Sequence, residues 1–156
     1  MSQLPATQPV SVRREYPDAP LVGVAAAVFN REGRVLLVKR GRPPGVGNWG
    51  LPGGLLDLGE SLEAGVHREV QEECGVEIEI GGLIGLFQPV ERDDDGRIRY
   101  HYVVVDYWAS HVRGIPTPED DAADAAWVDL SDMDRLPMNP ETRRVVREAQ
   151  GLWTHR

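Results

Sequence analysis

The sequence predicts an α/β fold with a mixed sheet held between helices. Three observations carry that reading. Short apolar runs of strand length stand on both sides of one amphipathic helix, a second helix closes the chain, and no segment repeats. A chain of 156 residues with 41% hydrophobic residues suits one domain around one core.

Residues 1–19 read as a loose arm, polar and without period, with an edge strand allowed near Val10 to Tyr16. The single domain then spans 20–156. Leu21 to Phe29 and Arg34 to Arg40 are apolar strands joined by the turn Asn30-Arg31-Glu32-Gly33. Gly41 to Gly54 holds six glycines and three prolines, which predicts a loop with neither helix nor strand. A loop this long in a compact domain suggests function.

The first helix is expected from a Ser61 cap to Cys74, with Gly75 in the left-handed position after it. Leu62, Val66, Val70 and Cys74 form its apolar stripe. Val76 to Ile80 alternates apolar and acidic residues, as a strand does. That run continues to Val90 with a break at Gly81-Gly82. Asp93 to Gly96 is a turn, and Arg97 to Ser110 returns as a long strand. Ala126 to Leu130 is a short last strand. Asn139 caps a final helix with Pro140 at its first position and Val145, Val146, Ala149 and Leu152 on its apolar side.

Charge and composition exclude several function classes. The net charge of −8 and the pI near 5.0 disfavour general affinity for nucleic acid or anionic membrane. The single cysteine, Cys74, permits no internal disulfide and fits a reducing compartment. No apolar run has transmembrane length, and the N-terminal residues lack the apolar centre of a signal peptide. A cytoplasmic protein is the expectation.

The chemistry concentrates in residues 54–76, GLLDLGESLEAGVHREVQEECGV. Glu69, Glu72 and Glu73 fall within one helical turn. Like charges at that spacing cost about 0.2–0.5 kcal/mol per pair. Glu69 and Glu73 also encroach on the edge of the apolar stripe, where a solvated acidic face would not put them. A divalent cation offsets the repulsion, and oxygen-only ligands suit Mg²⁺ or Mn²⁺.

Gly54, Glu60, Arg68, Glu69, Val70, Glu72, Glu73, Gly75 and Val76 together resemble the signature of the Nudix hydrolases, with no position departing from it. The resemblance implies an α/β/α sandwich and metal-dependent hydrolysis of a diphosphate linkage in a nucleoside derivative. It implies Glu69, Glu72 and Glu73 as metal ligands, with Glu69 alternatively a base or the ligand of a second ion. Arg68 is expected to orient Glu69, and Glu60 to support a metal directly or through water. The carbonyl of Gly53 is a candidate backbone ligand. The family often takes a base or further ligand from a loop before the last strand. Glu119, Asp120 and Asp121 occupy that region, and nothing in the sequence selects one.

Lys39 and Arg40 are candidates for substrate phosphates. Trp49 either packs on a base or anchors its loop. Tyr100, His101, Tyr102 and Tyr107 lie on the long strand, and His101 is a candidate substrate contact. The segment after the signature looks like bacterial ADP-ribose pyrophosphatases, with Pro89 near the position where that subgroup carries a proline. ADP-ribose or a related ADP-sugar is therefore the expected substrate. A nucleoside triphosphate pyrophosphohydrolase is the competing enzyme, and a non-catalytic nucleotide-sugar sensor the competing class. ADP-ribose enzymes of the family commonly pair, and the arm lacks a core of its own, so a homodimer is an open expectation.

Overall fold

The computed structural model describes residues 12–156. Its strands are β1 (Leu21–Phe29), β2 (Val35–Arg40), β3 (Trp49–Gly50), β4 (Gly53–Leu55), β5 (Glu77–Phe87), β6 (Val90–Arg92), β7 (Ile98–Arg113) and β8 (Ala122–Val128). The helices are α1 (Leu62–Cys74), α2 (Leu130–Met133) and α3 (Pro140–Thr154). The sheet order is β3-β2-β1-β7-β5, with β4 beside β1, β8 beside β2 and β6 beside β7. β1 and β7 run parallel; the other pairings are antiparallel.

Strand β1 is buried on both faces, which is why it reads as one continuous apolar run. Side chains alternate between faces. Val24, Ala26 and Val28 enter one core with Val66, Val70 and Cys74 of α1. Ala27 and Phe29 enter the other with Val146 and Ala149 of α3 and Met133 of α2. The mixed sheet therefore lies between helices, as the sequence predicts.

The caps of α1 also match the sequence. The Ser61 hydroxyl accepts from the Ala64 amide at 3.2 Å, and Gly75 takes φ 68 while donating to the Gln71 carbonyl. Asn139 caps α3 through the Glu141 amide at 2.9 Å.

Several expectations are corrected. The glycine-rich segment contains two short strands, β3 and β4, because Trp49–Gly50 adds to β2 and Gly53–Leu55 adds to β1. Such pairing depends on the partner strand and leaves no local period to read. Gly81-Gly82 does not end β5. The register shifts there, and the Trp108 ring covers Gly81 so closely that a Cβ would collide with it. β8 starts at Ala122, ahead of the expected Ala126, and α2 is an added turn of helix. Leu62 and Leu152 are exposed, whereas Gly65 is buried on α1 and Trp153 packs against the α3-side core.

The proposed arm strand falls partly on residues 10 and 11, outside the described residues; Val12 to Tyr16 forms no strand. Tyr16 instead pins this segment to the β6–β7 hairpin. Its amide donates to the Arg99 carbonyl and its hydroxyl to Asp93, both at 2.8 Å.

Candidate active site

The acidic residues of α1 meet the loop before the helix through one guanidinium. Arg68 grips Glu60 in a fork, at 2.7 Å from Nε and 2.8 Å from a terminal nitrogen. Its other terminal nitrogen donates to Glu69 at 2.7 Å and to Glu72 at 3.1 Å. The Leu55 carbonyl accepts a further bond at 3.0 Å, and Asp57 stands 3.3 Å away. The fork holds the Glu60 carboxyl low, at about 2, with help from the Asp57 amide.

Glu69 and Glu73 behave differently. Burial raises the Glu69 carboxyl, with Arg68 opposing. Burial, then the charge of Glu69, pushes Glu73 up to about 7. Arg40 and the Gly53 amide oppose that rise, and Asp121 adds to it. Both rises come first from burial, which disfavours the charged carboxylate.

The backbone of β4 is drawn tightly into this cluster. A Cβ on Gly54 would collide with the Glu69 carboxylate, and one on Gly53 with the backbone of Val24 and Ala25. Glycine is therefore needed at both positions for close approach.

The sheet face under α3 opens into a cleft of about 400 Å³ that reaches the same Gly53-Gly54 pair. Arg40 and Trp49 line it, with Phe87, Tyr102, Val104 and Asp106 from the middle of the sheet and Asn139, Thr142 and Val145 at α3. Arg40 thus faces both the cleft and Glu73, while its Nε donates to the Pro44 carbonyl at 2.6 Å. Trp49 also anchors its loop, since its amide donates to the Pro137 carbonyl at 2.8 Å.

Other candidates lie elsewhere. Lys39 is not on the cleft wall; it pairs with Trp49 and Asp124 across β2. His101 pairs with Val90, and strand alternation puts it on the face opposite Tyr102. The loop of residues 114–121 packs at the end of α1, where the Glu119 amide donates to the Glu73 carbonyl at 2.9 Å. Asp120 is exposed with φ 51, and Asp121 pairs with Arg42 at 3.0 Å. Cys74 is fully buried, and burial pushes its thiol up to about 12, which suits packing. Asp57 and Asp106 join this region without having been singled out from sequence. Asp106 had a signal, a lone carboxyl inside the apolar run YVVVDYWA.

Among the described residues, no three acidic, histidine or cysteine side chains already converge into a closed metal cage. The donor chemistry nevertheless fits a hard divalent ion. Four carboxylates, Asp57, Glu60, Glu69 and Glu72, surround the Arg68 guanidinium, and Glu73, beside Glu69 but not bonded to Arg68, has its pKa raised.

Known proteins are similar to this chain in sequence and in fold. A relative from Methanocaldococcus jannaschii, named ADP-ribose pyrophosphatase, is 30% identical over 73% of this chain and 65% of its own. A MutT-like protein from Streptomyces ambofaciens is 40% identical over 53% of each chain. The chain thus spans under two thirds of the length of these two relatives. The crystal structure of a MutT NUDIX hydrolase from Burkholderia pseudomallei superposes with a TM-score of 0.73 at 34% identity, covering 84% of this chain and 98% of that one. The NUDIX domain of Shewanella oneidensis NrtR, solved with ADP ribose, gives 0.70 at 29% identity over 87% and 90%. The NUDIX domain family model matches residues 19–149, and the chain belongs to the Nudix family.

Proposed function

We propose that the protein hydrolyses the diphosphate linkage of a nucleoside diphosphate derivative, with ADP-ribose or a related ADP-sugar yielding AMP and a sugar phosphate. The observation that carries this reading is the position of Gly53-Gly54, shared by the carboxylate cluster of α1 and a cleft walled partly by aromatic residues. The relative named ADP-ribose pyrophosphatase and the neighbour solved with ADP ribose support the substrate class.

In this reading Glu60, Glu69, Glu72, Glu73 and the Gly53 carbonyl would hold Mg²⁺ or Mn²⁺. Such an ion, when bound, neutralises phosphate charge and acidifies water. Arg68 positions Glu60, Glu69 and Glu72 together, since it bonds to all three. Arg40 offers its charge to the diphosphate from the cleft wall. A carboxylate takes the proton of the attacking water, from Glu69 or from the 119–121 loop packed against the end of α1. Lys39 and His101, away from the cleft wall, have no part in this proposal.

A second reading, a nucleoside triphosphate pyrophosphohydrolase, is favoured by the names of two relatives, one of them a putative 8-oxo-dGTP diphosphatase from Bacillus subtilis. Nucleoside triphosphatase NudI from an Enterobacter species is 28% identical over 77% of this chain and 90% of its own. A panel of ADP-ribose, ADP-sugars, dinucleotides and nucleoside triphosphates with Mg²⁺ or Mn²⁺ separates the two. AMP release from ADP-ribose is the expected result. Preference for triphosphates overturns the first reading, and inactivity on the whole panel overturns both.

A further inference from the structure

The cleft contains a carboxyl that the proposed hydrolysis does not use. Asp106 sits in the middle of β7, is only 5% exposed, and lines the cleft. Among the described residues it is the one buried charged side chain, and none donates a hydrogen bond or ion pair to it. Among the described residues Arg144 of α3 is the charge that acts on it, and that guanidinium is engaged by Glu141 and Glu148. Burial raises the Asp106 carboxyl to about 7. The carboxylate has no partner among the described residues and opens onto the cleft, so it offers a hydrogen-bonding site to a ligand.

Its place in the sheet suggests what that ligand part is. Asp106 pairs with Ala25, and Ala25 pairs with Gly53 on its other side. Two strand spacings, about 10 Å, therefore separate Asp106 from Gly53, whose neighbour Gly54 abuts the Glu69 carboxylate. Trp49, Phe87, Tyr102 and Val104 line the same cleft, which suits a flat, mostly apolar group. A phosphate beside Asp106 would be repelled, whereas an amino group would supply the missing donor.

We propose that Asp106 is the specificity-determining residue of this cleft and receives the amino-bearing edge of a purine base, adenine above all. The proposal rests on the nucleoside-diphosphate reading for its occupant, but it concerns binding and can be tested apart from hydrolysis.

The test is calorimetric binding to the full chain without metal, using AMP, purine riboside 5′-monophosphate, which lacks the amino group, and 2′-deoxy-AMP. The wild type should bind AMP at least about tenfold more tightly than the amino-free analogue. Asp106→Val should bring the two within about twofold while raising the thermal midpoint. Asp106→Asn keeps an acceptor and should retain the preference, which a purely structural role would not predict. Equal binding of AMP and the analogue by the wild type, no AMP binding at all, or a preference surviving in Asp106→Val would each overturn the proposal. Discrimination against only the deoxy analogue would also overturn it, by assigning Asp106 to the sugar. Hydrolysis of the substrate panel with an unaltered base preference in Asp106→Val would refute this inference alone. An intact AMP preference with no hydrolysis would refute only the proposed reaction.

Discussion

Glu73→Gln should make the metal-free protein more stable at neutral pH and remove the response to a divalent ion. The Glu73 carboxyl lies at about 7 in the fold, against 4.5 without these surroundings. Between those values the folded protein binds more protons than the unfolded chain, so this group's contribution to stability falls as pH rises. It is fully present below about 4.5 and lost by about 7. The shift corresponds to about 3 kcal/mol at most, and to about half of that once solvent reaching the half-buried side chain is allowed for. Glutamine fills the same space and cannot ionise. Urea denaturation at pH 5 and pH 8 in the presence of EDTA measures the difference. The variant should lose roughly 1–2 kcal/mol less than the wild type between those pH values. Mg²⁺ at ten times its dissociation constant should then stabilise the wild type by about 1.4 kcal/mol and the variant far less. Identical pH slopes in the two proteins would refute the burial argument. Equal stabilisation by Mg²⁺ would remove Glu73 from the proposed ligand set.

Glu72→Gln should lower kcat by about a hundredfold or more with little change in melting temperature, because Glu72 is exposed and its loss leaves no cavity; near-normal turnover at saturating Mg²⁺ would exclude it as a ligand. Gly54→Ala drives a methyl into the Glu69 carboxylate, so it should cost about 1–3 kcal/mol in chemical denaturation and reduce turnover together. Ser61→Ala removes the bond to the Ala64 amide and should cost about 1 kcal/mol, with the substrate preference unchanged in the same panel.

The fold was legible wherever the signal was local. Ser61, Gly75, Asn139 and Pro140 mark helix ends by side-chain and backbone chemistry that acts within a few residues. The signature likewise puts Glu69, Glu72 and Glu73 on one helix, and the helical period alone brings them together. The rest depends on partners distant in sequence. Trp49–Gly50 becomes a strand because β2 offers it an edge, and Gly53–Leu55 because β1 does. Arg40 and Lys39 are adjacent and chemically alike, yet only Arg40 lines the cleft; a register shift between them is set by pairing with β8. His101 and Tyr102 are likewise adjacent, and alternation on β7 sends only the tyrosine to the cleft.

The two carboxyls raised to about 7, Glu73 and Asp106, are unalike in surroundings, and the contrast gives the cleft a direction. Glu73 has Arg40 and the Gly53 amide as favourable neighbours and Glu69 and Asp121 as unfavourable ones. Asp106 has burial against it and little else. An anionic substrate group therefore gains at the Arg40 end and loses at Asp106. A neutral donor gains at Asp106, whose half-enclosed carboxylate has no partner among the described residues and sits where a hydrogen bond is stronger than in open water. A ligand with a diphosphate at one end and an amino-bearing ring at the other satisfies both ends at once. Reversing it would put phosphate against a buried carboxyl and leave Arg40 facing an uncharged ring. The same layout predicts that Arg40→Ala weakens nucleoside diphosphates more than nucleosides, whereas Asp106→Val weakens adenosine and ADP alike. Titrating both ligands against both variants checks this; equal losses in all four combinations would show that the two ends do not act separately.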